Sequence, residues 1–135
     1  MLDHMTFRVR DIEKTKKFYQ ECLQPLGYVI AYEGLHGHHV LGFGYAKEKG
    51  DEALKIDTWF VDGISPYGDH PYSTGAHLCW VAHSRSAVDE FYQAALKMGG
   101  RDNGPPGLRP QYHPNYYGAF VIDLDGNNIE AVCHQ

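Results

Sequence analysis

Two stretches decide how this chain is read: HMTFRVRDIEKTKKFYQECLQPLG (4–27) and HLCWVAHSRSAVDEFYQAALKMGG (77–100), which align without a gap. A constant separation of 73 residues, His4 to His77, is held by Phe18/Phe91, Tyr19/Tyr92, Gln20/Gln93, Leu23/Leu96 and Gly27/Gly100. Average residue usage gives roughly one chance identity in sixteen positions, so six identities over this span identify two copies of one module. Repeats set architecture, because each copy must bury its apolar face against something.

Each copy opens with period-two alternation. His4, Thr6 and Arg8 lie opposite Met5, Phe7 and Val9, and His77, Cys79 and Val81 lie opposite Ala76, Leu78 and Trp80, which sorts polar side chains to one face of a strand. A helix follows in each. Asp11 is placed to cap one that runs to about Cys22 or Leu23 and stops at Pro25 and Gly27. SAVD (86–89) has the outline of a capping box, ahead of a stripe of Val88, Phe91, Tyr92, Ala95 and Leu96 that ends at Gly99 and Gly100.

Strand-like runs come next: 28–33, 39–45 and 53–61, then 116–124 and 128–134. The Pro-, Gly- and His-rich segments 62–75 and 101–115 read as a linker and a long loop, and the second copy's first short strand has to fall inside that loop. The expected fold is α+β. Two tandem βαβββ modules, about 1–61 and 76–135, form a curved mixed sheet around a central cleft with the helices on its outer face, in a single domain of 135 residues.

Asp125-Gly126 between two strand runs predicts a two-residue type I′ hairpin. That register pairs Glu130 with Val121 and His134 with Tyr117, on the face opposite Ile129, Ala131 and Cys133. A carboxylate in the apolar run NIEAVC costs free energy unless a charge or donors meet it. Carrying the same spacing to the module ends matches Asp57 with Glu130. Each module then offers a His on its first strand and a carboxylate on its last, and the pseudo-two-fold brings His4, Asp57, His77 and Glu130 together. Two imidazoles with one or two carboxylates suit a divalent cation such as Zn, Ni, Co, Mn or Fe, with positions left open for water or substrate.

The repeated β-α-β-β-β order, the His in DHMTFRV, the FY pair in the first helix, GAHLCWVA, and DLDGNNIEAV at the end resemble the vicinal oxygen chelate superfamily. Its members include glyoxalase I, extradiol dioxygenases, and bleomycin and fosfomycin resistance proteins. The resemblance spans nearly the whole chain, and implies metal ligation by His4, His77 and Glu130. Where the glyoxalase I pattern has an Ile-Glu pair, this chain has Ile56-Asp57, one methylene shorter, which suits a water-mediated contact or a base. The implied activity is lyase or isomerase chemistry on a metal-chelated small substrate, with Glu130 or Asp57 moving the proton. The alternatives are ring-cleaving oxygenation and sequestration of a toxic molecule without chemistry. A homodimer is implied as well.

Further candidates follow from position. Arg8 lies two residues before Arg10 and shares the face of His4. Tyr117 shares Glu130's face in the hairpin register. The long segment GPPGLRPQYHPNYY (104–117) offers Arg109, Tyr112, His113 and Tyr116 to an anionic or aromatic substrate. HGHH (36–39) reads as a solvated turn, and His83 and His134 as exposed.

Composition excludes other partners. A net charge of −5 with no basic cluster beyond KTKK (14–17) is unsuited to a nucleic-acid backbone. No apolar window reaches membrane-spanning length, and no basic segment followed by an apolar stretch opens the chain. Cys22, Cys79 and Cys133 are scattered and odd in number, as expected for reduced thiols in a cytoplasmic protein.

Overall fold

The computed structural model describes residues 2–48, 50 and 52–135. The elements run β1 (Met5–Arg8), α1 (Ile12–Leu23), a 3-10 turn (Gln24–Leu26), β2 (Val29–Leu35), β3 (His39–Ala46), β4 (Leu54–Val61), β5 (His77–Val81), α2 (Arg85–Lys97), β6 (Arg101–Leu108), β7 (Tyr117–Ile122) and β8 (Asn128–Cys133). This is the α+β fold with tandem βαβββ modules. The strands form two four-stranded sheets, ordered β1-β4-β3-β2 and β5-β8-β7-β6. In each, the first strand pairs parallel with the last and the other pairings are antiparallel.

Local chemistry sets the helix ends. The Asp11 side chain accepts from the Lys14 amide, and the 3-10 turn closes at Gly27, whose φ of +85° few other residues adopt. The cap of α2 is Ser84, accepting from the Ala87 amide, two residues before the SAVD outline, so Arg85 and Ser86 already belong to the helix. The helices pack on each other and share one core with both sheets. Tyr19 on α1 shows how: its ring stacks on Phe60 at 4.3 Å and lies 6.1 Å from Trp80 of the other module.

One expectation from sequence is now given its place, and another is revised. The second module's first short strand is β6, which occupies most of the expected loop. It is an edge strand, and its register shifts around Gly104 to Gly107 accommodate Pro105 and Pro106, which have no amide to donate. The Asp125-Gly126 hairpin is not a two-residue turn. The carboxylate of Asp123 accepts from the amides of Asp125 and Asn127, and the Asp123 amide donates to the Asn127 carbonyl, so residues 123–127 form one knot. The register therefore slips by one: Phe120 faces Glu130, and Tyr117 faces Cys133.

The strand pairing also revises the equivalence of the module ends. Met5 faces Thr58, and its counterpart Leu78 faces Ile129. Thr58 is therefore the counterpart of Ile129, and Trp59, not Asp57, that of Glu130. Between the Phe43–Thr58 and Gly44–Ile56 pairs, Asp57 is the extra residue of a β-bulge.

The Tyr19 hydroxyl donates to Asp123 at 2.6 Å, joining α1 to the knot that fixes the β7–β8 register. Tyr19→Phe is expected to cost about 1–2 kcal/mol, because it leaves a buried carboxylate oxygen short of one donor. Urea denaturation should show a lower midpoint at unchanged slope.

Candidate metal centre

Glu130 is 2% exposed, with its carboxylate on the face of the second sheet opposite Ile129 and Ala131. Two groups meet it. His77 Nε2 lies 3.0 Å from Oε2, and the Tyr116 hydroxyl donates to Oε1 at 2.5 Å, the length of a charge-assisted hydrogen bond. His77 reaches across from β5, which runs parallel to β8, and is half exposed. Phe120 faces Glu130 on β7, its ring 6.2 Å from His77, and the Arg109 guanidinium lies 5.6 Å above that ring. Arg109 also donates to the carbonyl oxygens of Pro105 and Leu108.

The segment before β7 supplies a polar aromatic box. Tyr116 is flanked by Tyr112 at 4.9 Å, His113 at 5.3 Å and His134 at 5.4 Å, and the two His rings share a hydrogen bond of 2.8 Å. Cys79, facing Glu130 on β5, is the third polar neighbour. Its thiol is pushed up to about 12 by burial of the sulfur and by the Glu130 carboxylate, although the residue as a whole reaches solvent. Burial and Glu130 likewise raise the Tyr116 phenol, so it stays a donor.

The remaining sequence candidates lie elsewhere. His4 is exposed and bonded through Nδ1 to Asp3, which pairs with Lys55. Asp57 accepts from the Tyr28 hydroxyl and from Thr58 Oγ1, each at 2.8 Å. It lines a cleft of about 1040 Å³ whose walls include Tyr28, Tyr45, Met5, Leu26 and Trp80. Arg8 is tied to the linker, donating through Nη1 to the Asp62 carbonyl and through its amide to Ser73 Oγ. Tyr117 stands on the helix side, its hydroxyl bonded to Asp89 of α2 and the Arg85 guanidinium over its ring. In the HGHH turn, His39 Nδ1 lies 2.7 Å from Asp62.

Phe120 was missed, Cys79 and His134 were placed on the right faces without a role, and Tyr116 was offered to substrate rather than to Glu130. Adjacent tyrosines at 116 and 117 were the signal, and the one-residue slip of register passed the role to the wrong one.

Does this set fit a divalent ion? Two ligands about 2.1 Å from one ion at tetrahedral or octahedral angles lie roughly 3.0–3.4 Å apart, and His77 Nε2 to Glu130 Oε2, at 3.0 Å, is within that range. Among the described residues of one chain, no three His, Cys, Asp or Glu side chains gather into a metal-holding group. The pair fits as part of a ligand set that the described residues of one chain do not complete.

The fold defines a class. A sequence profile described as the Glyoxalase/Bleomycin resistance protein/Dioxygenase superfamily matches residues 1–131, and the chain belongs to that superfamily. It is 28% identical over 131 residues to a putative lactoylglutathione lyase of Brassica oleracea var. gemmifera, covering 96% of this chain and 43% of the relative, so it spans less than half that protein's length. A glyoxalase/bleomycin resistance protein from Albidiferax ferrireducens T118 superposes with a TM-score of 0.71 at 28% identity, covering 97% of each chain. Two others share the fold. A point mutant of Zea mays glyoxalase I has a TM-score of 0.68 at 20% identity, covering 97% of this chain and 46% of that one. A point mutant of the Listeria monocytogenes fosfomycin resistance protein, complexed with Mn(II), has a TM-score of 0.60 at 19% identity, covering 98% of this chain and 88% of that one.

Cys22 and Cys133 are buried, which leaves Cys79 as the accessible thiol. With its pKa raised to about 12 rather than about 8.5, alkylation by iodoacetamide at pH 8 should be at least ten-fold slower than that of free glutathione. The rate should still be climbing at pH 10, and a plateau near pH 9 would contradict the environment described.

Proposed function

We propose that the protein is a divalent-metal-dependent enzyme of the glyoxalase I type, a lyase or isomerase acting on a small substrate with neighbouring oxygens. The observation that carries this reading is the buried carboxylate of Glu130 at ligand spacing from His77. Bound Zn, Ni, Co, Mn or Fe would supply Lewis-acid stabilisation of negative charge on those oxygens. His77 and Glu130 would hold it from one copy, and His4 from a second copy, in a homodimer.

Glu130 would move a proton between adjacent carbons of the substrate, a reading supported by its position beside the half-exposed His77 on the face opposite Ile129 and Ala131. Asp57, which accepts from Tyr28 and Thr58 and lines the cleft, is the other candidate. Arg109, over Phe120, offers positive charge to an anionic substrate group beside His77, and Tyr112 and His113 form the rim of the same face.

Elemental analysis of natively purified protein tests the reading first. His77→Ala, Glu130→Gln and His4→Ala should each lose stoichiometric metal. Mixed dimers of His4→Ala and Glu130→Gln chains should regain one intact site each, whereas retention of metal by all three variants would refute the ligand set. Turnover of the methylglyoxal–glutathione adduct is the expected activity. Its absence in every metal-loaded form would remove the glyoxalase reading.

A second reading, small-molecule sequestration without chemistry, is favoured by the aromatic cleft at Tyr28, Tyr45 and Trp80, which has the volume of a small-ligand site. Metal-free protein that binds ligand regardless of chelator would support it.

A further inference from the structure

We propose that Tyr116 is a positioning residue that holds one oxygen of Glu130, making the other the main point through which that carboxylate grips an ion. This rests on the metal-centre reading above and assigns a role to a residue outside the ligand set.

The geometry divides the carboxylate in two. Oε1 accepts the Tyr116 hydroxyl at 2.5 Å, and Oε2 faces His77 Nε2 at 3.0 Å. The phenol bond takes one of the two lone pairs of Oε1 and draws negative charge from it, which leaves Oε2 the stronger donor to an ion. The ring is not free to leave. Tyr112, His113 and His134 enclose it, the His113–His134 hydrogen bond closes that box, and the Tyr116 amide donates to the His113 carbonyl at 3.1 Å. Room for the contact comes from Gly118: a Cβ there would lie 3.1 Å from both Glu130 Oε1 and the Tyr116 ring. The same segment that carries Tyr112 and His113 to the rim thus fixes how Glu130 presents itself.

Cobalt(II) titration of wild-type protein and Tyr116→Phe tests this, read by visible absorption and by affinity. Partners that orient a ligand typically change metal affinity about 10–100-fold. The variant should bind cobalt(II) about ten-fold differently, and its d–d bands should weaken as the freed Oε1 joins the ion and raises its coordination number. A loss of fold stability alone would not move those bands; circular dichroism should match wild type, while the melting midpoint falls by a few degrees because Oε1 loses a donor. Gly118→Ala, which crowds the phenol without removing its hydroxyl, should shift the bands in the same direction. Cobalt(II) bound equally by wild type and both variants, with identical spectra, overturns the role of Tyr116 and leaves the metal centre standing. Wild-type protein with no cobalt(II) site overturns both.

Discussion

The Glu130 carboxylate is the constraint on which the polar face of the second module depends. A charged group at 2% exposure in the middle of an apolar strand is tolerated only where donors or opposite charge meet it. Here one imidazole and one phenol do so. Each depends on something distant: His77 on the parallel pairing of β5 with β8, and Tyr116 on the register of β7 against β8. That register is fixed by the buried Asp123 knot, which is tied in turn to Tyr19 on α1. The site is therefore held by the core of both modules.

The same chain of dependence explains what was legible in the sequence. Module order, both helices and seven of the eight described strands follow from the 73-residue repeat and its periodicities, because apolar side chains must face a core whatever the turn chemistry. Glu130 and His77 could be picked out for the same reason, as polar residues on otherwise sorted strands. The β7–β8 register could not, because it is decided by a side chain: Asp123 gathers amides that a type I′ turn would leave to the backbone. A slip of one residue turns every side chain on a strand to the opposite face, and this exchanged Tyr117 for Tyr116. Strand β6 was hidden by Gly104, Pro105 and Pro106, which an edge position tolerates.

The repeat also misleads where the modules have diverged. Counting residues places Asp57 opposite Glu130 in the pseudo-symmetry, but pairing places Trp59 there. The first module's version of the Glu130 position is aromatic, with Gly42 facing it because the indole fills the space a Cβ would need. Asp57 is displaced by the bulge to a different environment, beside Tyr28 and Tyr45. The two modules are thus alike in fold and unlike in chemistry. One carries a carboxylate–imidazole pair, the other an exposed His4 and a carboxylate engaged by hydroxyls.

This asymmetry bears on how an enzyme and a binding protein can arise on one framework. Fold alone does not choose between them, because function resides in the side chains a framework presents. In this chain the features that would serve each purpose are carried by different residues: the polar pair by β5 and β8, the aromatic cleft by the 3-10 turn, β3 and the bulge of β4, with Trp80 and Cys79 of β5 at its edge. Loss of Glu130 would remove the first without touching Tyr28, Tyr45 or Asp57, and loss of Tyr28 would alter the second without touching His77. Cys79, which faces Glu130 and also lines the cleft, is where the two sets meet, so the two readings are told apart by substitutions at Glu130 and at Tyr28 rather than by the fold.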